Sequence, residues 1–281
     1  MPPIANSAPP AVLSFSSADP TGGCGVQADT LTLAAMGCHP LTVVCAITIR
    51  DTRGVEDCLA LDDDSVVMQA RTILEDVPVH AFRIGVVGSV ENLVAIAEIL
   101  SDYPDIPVVL EPALFEAGRG DEALADEFGA ALVELILPQT TILVSDSLEI
   151  LRLADAGYEG DDEEPELEGD DLARLLALGV GFVLLTDTGN HGPQAINVLH
   201  GEAGVISTDA RERLAGQFFG ARATLSAAIA AALALGMDVP DAVKAAQAFT
   251  WRALAGAYRP GMGPALPDRL LGLRSGARDA G

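Results

Sequence analysis

Lysine is nearly absent from this chain of 281 residues, in which 16 Lys and Arg side chains stand against 41 Asp and Glu side chains. The single lysine is Lys244, and the formal net charge is −25. Nucleic acids and anionic membranes are bound by clustered basic side chains, which this composition does not supply. We therefore predict neither nucleic acid nor a membrane as a partner.

Long hydrophobic runs are also missing, although apolar residues make up 49% of the chain. No uncharged apolar stretch approaches the ~20 residues that a membrane-spanning helix needs. The first ten residues have neither a basic start nor an apolar centre, so they do not have the pattern of a signal peptide. We expect a cytoplasmic protein.

Cysteine is scarce, and its spacing indicates no metal site. The four cysteines are Cys24, Cys38, Cys45 and Cys58, without any C-x-x-C pair. Three of them lie in apolar contexts, which favours buried free thiols over disulfides or metal ligands.

Short β-branched runs alternate with helical patterns along most of the sequence. This alternation predicts an α/β fold in three layers, with a central, mostly parallel sheet and helices on both faces. The predicted strands cover residues 12–16, 41–49, 81–87, 107–111, 141–145, 181–186 and 195–199. The predicted helices cover residues 26–36, 64–74, 90–100, 121–137, 147–154, 170–178, 224–235 and 240–254.

We expect one domain over residues 1–281, ordered from about residue 11 to about residue 270. Residues 155–171 contain ten acidic side chains in seventeen positions, which predicts a solvated surface loop. The tail at 272–281 has glycine and charge without periodicity, so we expect it to be flexible.

A glycine-rich turn follows the first predicted strand. Residues 19–29 read D-P-T-G-G-C-G-V-Q-A-D, and a helix is predicted to follow the turn. Glycines there would let a ligand approach the backbone, and Asp19 could hydrogen-bond a hydroxyl group. Taken alone, the pattern is weak, because a tight turn with a helix cap has the same sequence signature. The spacing does not give the G-x-G-x-x-G of a nicotinamide-binding protein.

Several motifs in the same order carry a resemblance to a known family. After the glycine-rich turn come D-T-R-G-V at 51–55, R-I-G-V-V at 83–87, L-P-Q-T at 137–140, S-L-E at 147–149 and T-L-S-A-A at 224–228. Together they resemble the hydroxymethylpyrimidine/phosphomethylpyrimidine kinases of the ribokinase-like superfamily, over residues 11–270. The resemblance implies a ribokinase-like fold, an ATP-dependent kinase of thiamine biosynthesis that uses Mg²⁺, and a homodimer.

On the substrate side, the resemblance implies that Asp19, Gly22 and Gly23 contact the ligand. Arg50 stands where the family has a glutamine that reads the aminopyrimidine edge. Arginine only donates hydrogen bonds, so it could hold a phosphate or carboxylate but could not accept from an exocyclic amine. The alternative is an Arg50 that turns to solvent or pairs with Asp51.

On the metal and nucleotide sides, the resemblance implies Mg²⁺ near Glu111 and Glu149, and ATP near Thr186, Asp187 and Gly220. Glu149 could instead be a capping residue on the first turn of its helix. Asp187 would place negative charge near the ATP phosphates unless it turns away or binds a metal.

The catalytic loop departs most from the family pattern. Residues 219–227 read F-G-A-R-A-T-L-S-A where the family has H-G-T/S-G-C-T-L-S-A, so Ala223 stands at the position of the general base. Arg222 replaces a glycine of the anion hole and either pairs with a phosphate or faces solvent. Losing a positioned base typically slows proton transfer by ~10²–10⁴-fold. We therefore expect weak or lost catalysis. The alternative is a pseudokinase that binds a small ligand or a partner as a sensor or scaffold.

Overall fold

The computed structural model describes residues 8–114, 122–154, 169–187 and 192–272. The part of the predicted acidic loop at 155–168 and the tail from residue 273 lie outside these ranges. Within them, one nine-stranded sheet has the strand order β3-β2-β1-β4-β5-β6-β7-β8-β9. Strands β2, β1, β4, β5, β6 and β7 are parallel, and β3, β8 and β9 are antiparallel to their neighbours.

The strands are β1 (Ala11–Ala18), β2 (His39–Arg50), β3 (Val55–Ala60), β4 (Val79–Ile84), β5 (Val108–Leu110), β6 (Ile142–Ser145), β7 (Phe182–Leu185), β8 (Gln194–Gly201) and β9 (Gly204–Glu212). The α-helices are α1 (Gly25–Ala35), α2 (Asp63–Leu74), α3 (Val90–Ser101), α4 (Glu122–Ala131), α5 (Ser147–Ala154), α6 (Gly169–Ala177), α7 (Ala221–Ala234) and α8 (Val239–Ala255).

Two hydrophobic cores lie on opposite faces of the sheet. The larger core packs one face against helices α2 to α6 and contains Phe15, Phe82 and Leu93. The smaller core packs the other face against α1, α7 and α8 and is rich in alanine along α7. The predicted three-layer α/β fold with a mostly parallel sheet is confirmed. No helix among the described residues is long and apolar enough to cross a membrane.

Two strands were not predicted, and both lie at the edges of the sheet. The residues of β3 read V-E-D-C-L-A and those of β9 read G-V-I-S-T-D-A-R-E, and most of their side chains are exposed. Edge strands that face water lack the continuous apolar run that identifies a buried parallel strand. Because β3 and β9 are polar, the hydrophobic pattern of the sequence did not identify them as strands.

Two helix predictions need correction. The helix predicted over 121–137 is an α-helix only to Ala131, then widens into a π-helix at Leu132–Ile136 and ends in a 3₁₀ turn at Leu137–Gln139. Pro138 lies in that turn, where it cannot donate the backbone bond that a regular helix needs. Helix α7 begins at Ala221, three residues before the predicted start, because alanine and arginine favour a helix where glycines would not.

Candidate active site

The candidate site lies where the parallel strands end. Asp19 follows β1, Glu111 follows β5 and Asp146 follows β6, and the first turn of α7 faces them. Ligands of open parallel sheets bind at this edge. A cavity of about 240 Å³ opens here, lined by Ser16, Cys24, Gly25, Arg83, Val86, Glu111, Ala113, Phe218, Phe219, Gly220, Ala221, Arg222 and Ala223.

The Asp19 carboxylate holds the glycine-rich turn together. It accepts hydrogen bonds from the backbone N–H of Thr21 and of Cys24, both 2.8 Å away, and it is fully buried. Gly22 and Gly25 have φ angles of +70° and +68°, in the left-handed region that favours glycine. The structure therefore gives Asp19 a turn-forming role, and its proposed contact with a ligand hydroxyl stays a prediction.

Arg50 neither faces solvent nor pairs with the Asp51 carboxylate. Its guanidinium lies 3.9 Å from the centre of the Phe219 ring, and its Nε is 3.9 Å from Asp19 Oδ1. Nε also donates to the backbone carbonyl of Asp51 at 3.3 Å. The side chain is 5% exposed. The Phe219 ring therefore offers an aromatic surface that keeps Arg50 folded over the turn.

Gly23 and Gly220 are the points where the glycine-rich turn and the α7 loop touch. A Cβ on Gly23 would lie 2.2 Å from two ring carbons of Phe219, and a Cβ on Gly220 would lie 1.8 Å from the Gly23 carbonyl oxygen. Gly220 also has a φ of +85°. Gly220 needs glycine because the backbone of Gly23 lies so close to it, and Gly23 needs glycine because the Phe219 ring lies against it.

Arg269 clamps this contact and was missed by the sequence analysis. Its guanidinium donates to the carbonyls of Gly22 at 2.9 Å and of Gly23 at 2.6 Å, and to Thr224 Oγ1 at 3.0 Å. It is almost fully buried, and burial lowers the pKa of its guanidinium. In the sequence, Arg269 is an arginine near the end of the predicted ordered region. Nothing in its neighbouring residues distinguishes it from a surface arginine.

Three carboxylates surround the Arg222 guanidinium. Nη1 lies 2.8 Å from Asp146 Oδ2 and 2.8 Å from Glu149 Oε2, and Nε lies 3.4 Å from Glu111 Oε1. The Arg222 side chain is 22% exposed and still lines the cavity. Arg222 therefore does not face solvent as the alternative expectation had it, and its pairing with a phosphate stays a prediction.

The carboxylates have other partners that hold them in place. Glu149 accepts from the backbone N–H of Leu114 at 2.9 Å and from Ser145 Oγ at 3.0 Å. Asp146 Oδ1 accepts from the backbone N–H of Glu149 at 3.0 Å, so Asp146 forms the cap at the start of α5. Glu149 is itself buried and bridges two chain segments, which a simple capping residue would not do.

Arg83 forms the buried floor of the site. Its guanidinium donates to Glu111 Oε2 and to Ser226 Oγ, and its Nη1 lies 3.3 Å from Asp29 Oδ2. Burial raises the pKa of Asp29 above its ordinary value, and the positive charge of Arg83 only partly opposes that shift. Four acidic groups, Asp29, Glu111, Asp146 and Glu149, therefore share the two cations Arg83 and Arg222.

The base position is inert. Ala223 is 3% exposed at the cavity wall, in the first turn of α7, and its methyl group cannot accept a proton. Cys24 lines the same cavity, but burial and then the Asp19 charge raise the pKa of its thiol well above the ordinary value. A thiol that stays protonated is a poor proton acceptor. The N-terminus of α7 is a regular helix start. Thr224 N donates to the Gly220 carbonyl, and the amides of residues 221–223 come before this hydrogen bond, at the open end of the helix.

On the nucleotide side, Asp187 turns away from the cavity. Arg213 donates to both of its carboxylate oxygens, at 2.8 and 2.6 Å, and Asp187 has a φ of +53°. Thr186 Oγ1 donates to the Ser145 carbonyl at 3.1 Å. The next two residues of this motif, at 188 and 189, lie outside the described ranges.

The residues at the predicted Mg²⁺ position do not fit a metal ion. Carboxylates are suitable Mg²⁺ ligands, but the Arg222 guanidinium already contacts Glu111, Asp146 and Glu149. Nowhere in the described ranges do three His, Cys, Asp or Glu side chains meet in a way that could hold a metal ion. The four cysteines are free thiols, as predicted.

Comparison with solved structures defines the fold class. The chain superposes on Bacillus subtilis pyridoxal kinase in its ADP complex with a TM-score of 0.79 and 24% identity, covering 95% of this chain and 99% of the other. A phosphomethylpyrimidine kinase from Clostridium difficile gives a TM-score of 0.68 and 26% identity, with 86% and 100% coverage. The predicted ribokinase-like fold is therefore confirmed.

Sequence comparison defines the family. The phosphomethylpyrimidine kinase family profile matches residues 19–267. The hydroxymethylpyrimidine/phosphomethylpyrimidine kinase of Streptomyces coelicolor is 32% identical over 263 residues, covering 91% of this chain and 92% of the relative. The enzyme of that name from Escherichia coli is 30% identical over 243 residues, covering 86% and 90%. The chain belongs to the phosphomethylpyrimidine kinase family.

Proposed function

We propose that this chain is a phosphotransferase of the phosphomethylpyrimidine kinase type whose phosphoryl transfer from ATP is slow. The observation that carries the proposal is the cavity of about 240 Å³ that the first turn of α7 shares with the glycine-rich turn, with Ala223 at the base position. The fold supports binding, and the side chain at residue 223 limits the chemistry.

The role of each element follows from its chemistry. The amides at the start of α7 would face phosphate oxygens, which a helix N-terminus stabilises through its N–H groups and dipole. The turn at Asp19 to Cys24 would close one side of the substrate. Without a proton acceptor at Ala223, the substrate hydroxyl must lose its proton to water, which typically slows the reaction by ~10²–10⁴-fold.

The substrate would be a pyrimidine-like or phosphorylated small molecule. Arg50 offers N–H donors only, and its stacking on Phe219 limits how far it can turn toward a ligand. We therefore propose that the chain prefers a substrate with an acceptor or an anionic group where its relatives bind an amine donor. We also keep the proposals of a homodimer and a cytoplasmic location.

A second candidate function is ligand binding without turnover, as in a pseudokinase. It is favoured by one specific observation, the three ion pairs that hold Arg222 in the cavity wall beside Ala223. Such a protein would bind the nucleotide or the pyrimidine and report its presence to a partner.

The first experiment is thermal unfolding of the purified chain with ATP and with hydroxymethylpyrimidine, separately and together, followed by a turnover assay. A ligand at 100 times its Kd stabilises the folded state by ~2.7 kcal/mol, which a melting curve resolves. We expect a stabilising shift with each ligand and slow ADP formation that depends on the pyrimidine. Stabilisation without any turnover would favour the second candidate, and no shift with either ligand would contradict both.

The variant Ala223→Cys then tests the base. We expect ADP formation to rise by ~10²-fold or more, because a positioned thiolate can take the hydroxyl proton. Ala221→Cys is the matched control, since it places a thiol in the same cavity without occupying the base position. An equal rate in the wild type and both variants would show that proton removal does not limit the reaction.

A further inference from the structure

We propose that the Arg222 guanidinium takes the place of a divalent cation at Glu111, Asp146 and Glu149, and that loss of this one side chain turns the cluster into a divalent-cation site. The proposal concerns metal binding only and stands whether or not the chain transfers phosphate.

The first argument is the position of the guanidinium. It lies within 3.4 Å of a carboxylate oxygen from each of three residues, Glu111 after β5 and Asp146 and Glu149 at the start of α5. A cation that binds there must approach those same oxygens, so Arg222 blocks it both by volume and by like-charge repulsion. The wild-type cluster thus already holds a cation that its own chain supplies.

The second argument is that the carboxylates do not depend on Arg222 for their orientation. The two Glu149 oxygens accept from Leu114 N–H and Ser145 Oγ, and Asp146 accepts from the Glu149 N–H. Glu111 is held from the opposite side by Arg83 and by Ser226 Oγ, which donates to it at 3.1 Å. Without the guanidinium, these hydrogen bonds would still hold the carboxylates that now contact Arg222, and the positive charge beside them would be missing.

The third argument is the charge that would remain. In the wild type, Arg83 and Arg222 together oppose the carboxylates of Asp29, Glu111, Asp146 and Glu149. Removing Arg222 leaves Arg83 alone, and Arg83 faces only Asp29 and Glu111. A hard divalent cation with oxygen ligands is the species that such a cluster takes up. The cavity beside it gives water and the ion a way in.

The test is a titration of the metal-free chain with Mn²⁺. The concentration of the free ion is measured from its electron paramagnetic resonance signal. The chain carries a net charge of −25 and will attract cations weakly over its surface. The titration is therefore done in about 0.15 M KCl, where the Debye length is about 8 Å. We expect no stoichiometric site in the wild type and one site in Arg222→Ala, tighter than any wild-type binding by about 10-fold or more.

Three variants separate this site from a general charge effect. Arg71→Ala removes the partner of Asp102 in an exposed ion pair, so it measures the gain from losing any one arginine. Arg222→Lys keeps the charge and should bind no Mn²⁺. Glu149→Gln combined with Arg222→Ala should lose the gain, because one of the three carboxylates is neutralised.

Thermal unfolding gives a second readout that does not depend on spectroscopy. Mn²⁺ should raise the Tm of Arg222→Ala and leave that of the wild type unchanged, since a ligand stabilises only a state that binds it. If Arg222→Ala does not fold, Arg222→Gln retains most of the volume and loses the charge, and the same shift is expected. A stoichiometric Mn²⁺ site in the wild type, or a gain in Arg222→Ala no larger than in Arg71→Ala, would overturn the proposal.

Discussion

The guanidinium of Arg50 stacks on the ring of Phe219 with a distance of 3.9 Å to the ring centre. These two residues are 169 positions apart in the sequence (219 − 50), and each differs from the family pattern. Their contact joins the substrate side of the cavity to the catalytic loop. The Phe219 ring therefore helps to set the position of Arg50.

A double-mutant cycle tests this coupling. We expect Arg50→Met and Phe219→Leu each to lower the free energy of unfolding, and the double variant to lose less than the sum by ~0.5–2 kcal/mol. The upper part of that range is favoured because the Arg50 side chain is only 5% exposed. The measurement is urea unfolding of the four proteins.

Arg53 provides the control for this cycle. Its side chain is 68% exposed and pairs with Asp51, close in sequence to Arg50 but away from the ring. Arg53→Met and Phe219→Leu should therefore be additive within ~0.3–0.5 kcal/mol. A coupling for Arg50 that is no larger than the one for Arg53 would contradict a significant cation–π contact.

The fold could be predicted from the sequence to a large extent, because buried parallel strands and amphipathic helices carry local patterns. The carboxyl-end location of Asp19 and Glu111 followed from the same patterns. The ion pairs of Arg222 could not be predicted, since they join residue 222 to residues 111, 146 and 149 through the tertiary fold alone. Local sequence around Arg222 indicates helix propensity, which agrees with the start of α7 at Ala221 but does not identify the partners of the side chain.

Gly23 is needed for a physical reason that its sequence motif does not show, while its contact with a ligand stays a prediction. The sequence analysis assigned the glycines of the turn to the approach of a ligand. In the structure, Gly22 and Gly25 are required by their positive φ angles, whereas Gly23 is required by the ring of Phe219. The contact between the glycine-rich turn and the loop before α7 is formed by the tertiary fold. The spacing of residues within either motif does not predict it.

Gly23→Ala should therefore destabilise the fold. Its Cβ would lie 2.2 Å from two carbons of the Phe219 ring and 3.2 Å from Leu266, so the ring must leave its place beneath Arg50. Overpacking of this kind typically costs ~1–3 kcal/mol. Chemical unfolding of the variant measures the loss. Gly54→Ala is the matched control, because nothing lies within 4 Å of the added methyl group, and its effect should stay within ~0.5 kcal/mol. Equal stabilities for the two variants would mean that Phe219 moves freely.

The thiol of Cys24 offers a pH-dependent measure of the same turn. Burial, and then the charge of Asp19, raise its pKa well above the ordinary value of a cysteine. Only the thiolate reacts with iodoacetamide. At pH 8.5 an ordinary thiol is about half ionised, so Cys24 should react at less than about one tenth of the rate of free glutathione. Its rate should still rise above pH 9, where that of glutathione levels off.

Peptide mass spectrometry can follow Cys24 alone, because Cys38, Cys45 and Cys58 are buried. Asp19→Asn removes the second cause of the shift, so it should lower the pKa of Cys24 and speed its alkylation, whereas Asp51→Asn should not. A raised folded-state pKa also favours the folded state fully below the thiol's unfolded pKa, and this contribution is lost as the pH rises toward the folded value. The free energy of unfolding should therefore fall more steeply above pH 9 in the wild type than in Cys24→Ser. A rate for Cys24 that levels off near pH 8.5 would contradict both expectations, since it would place the thiol in water with an ordinary pKa.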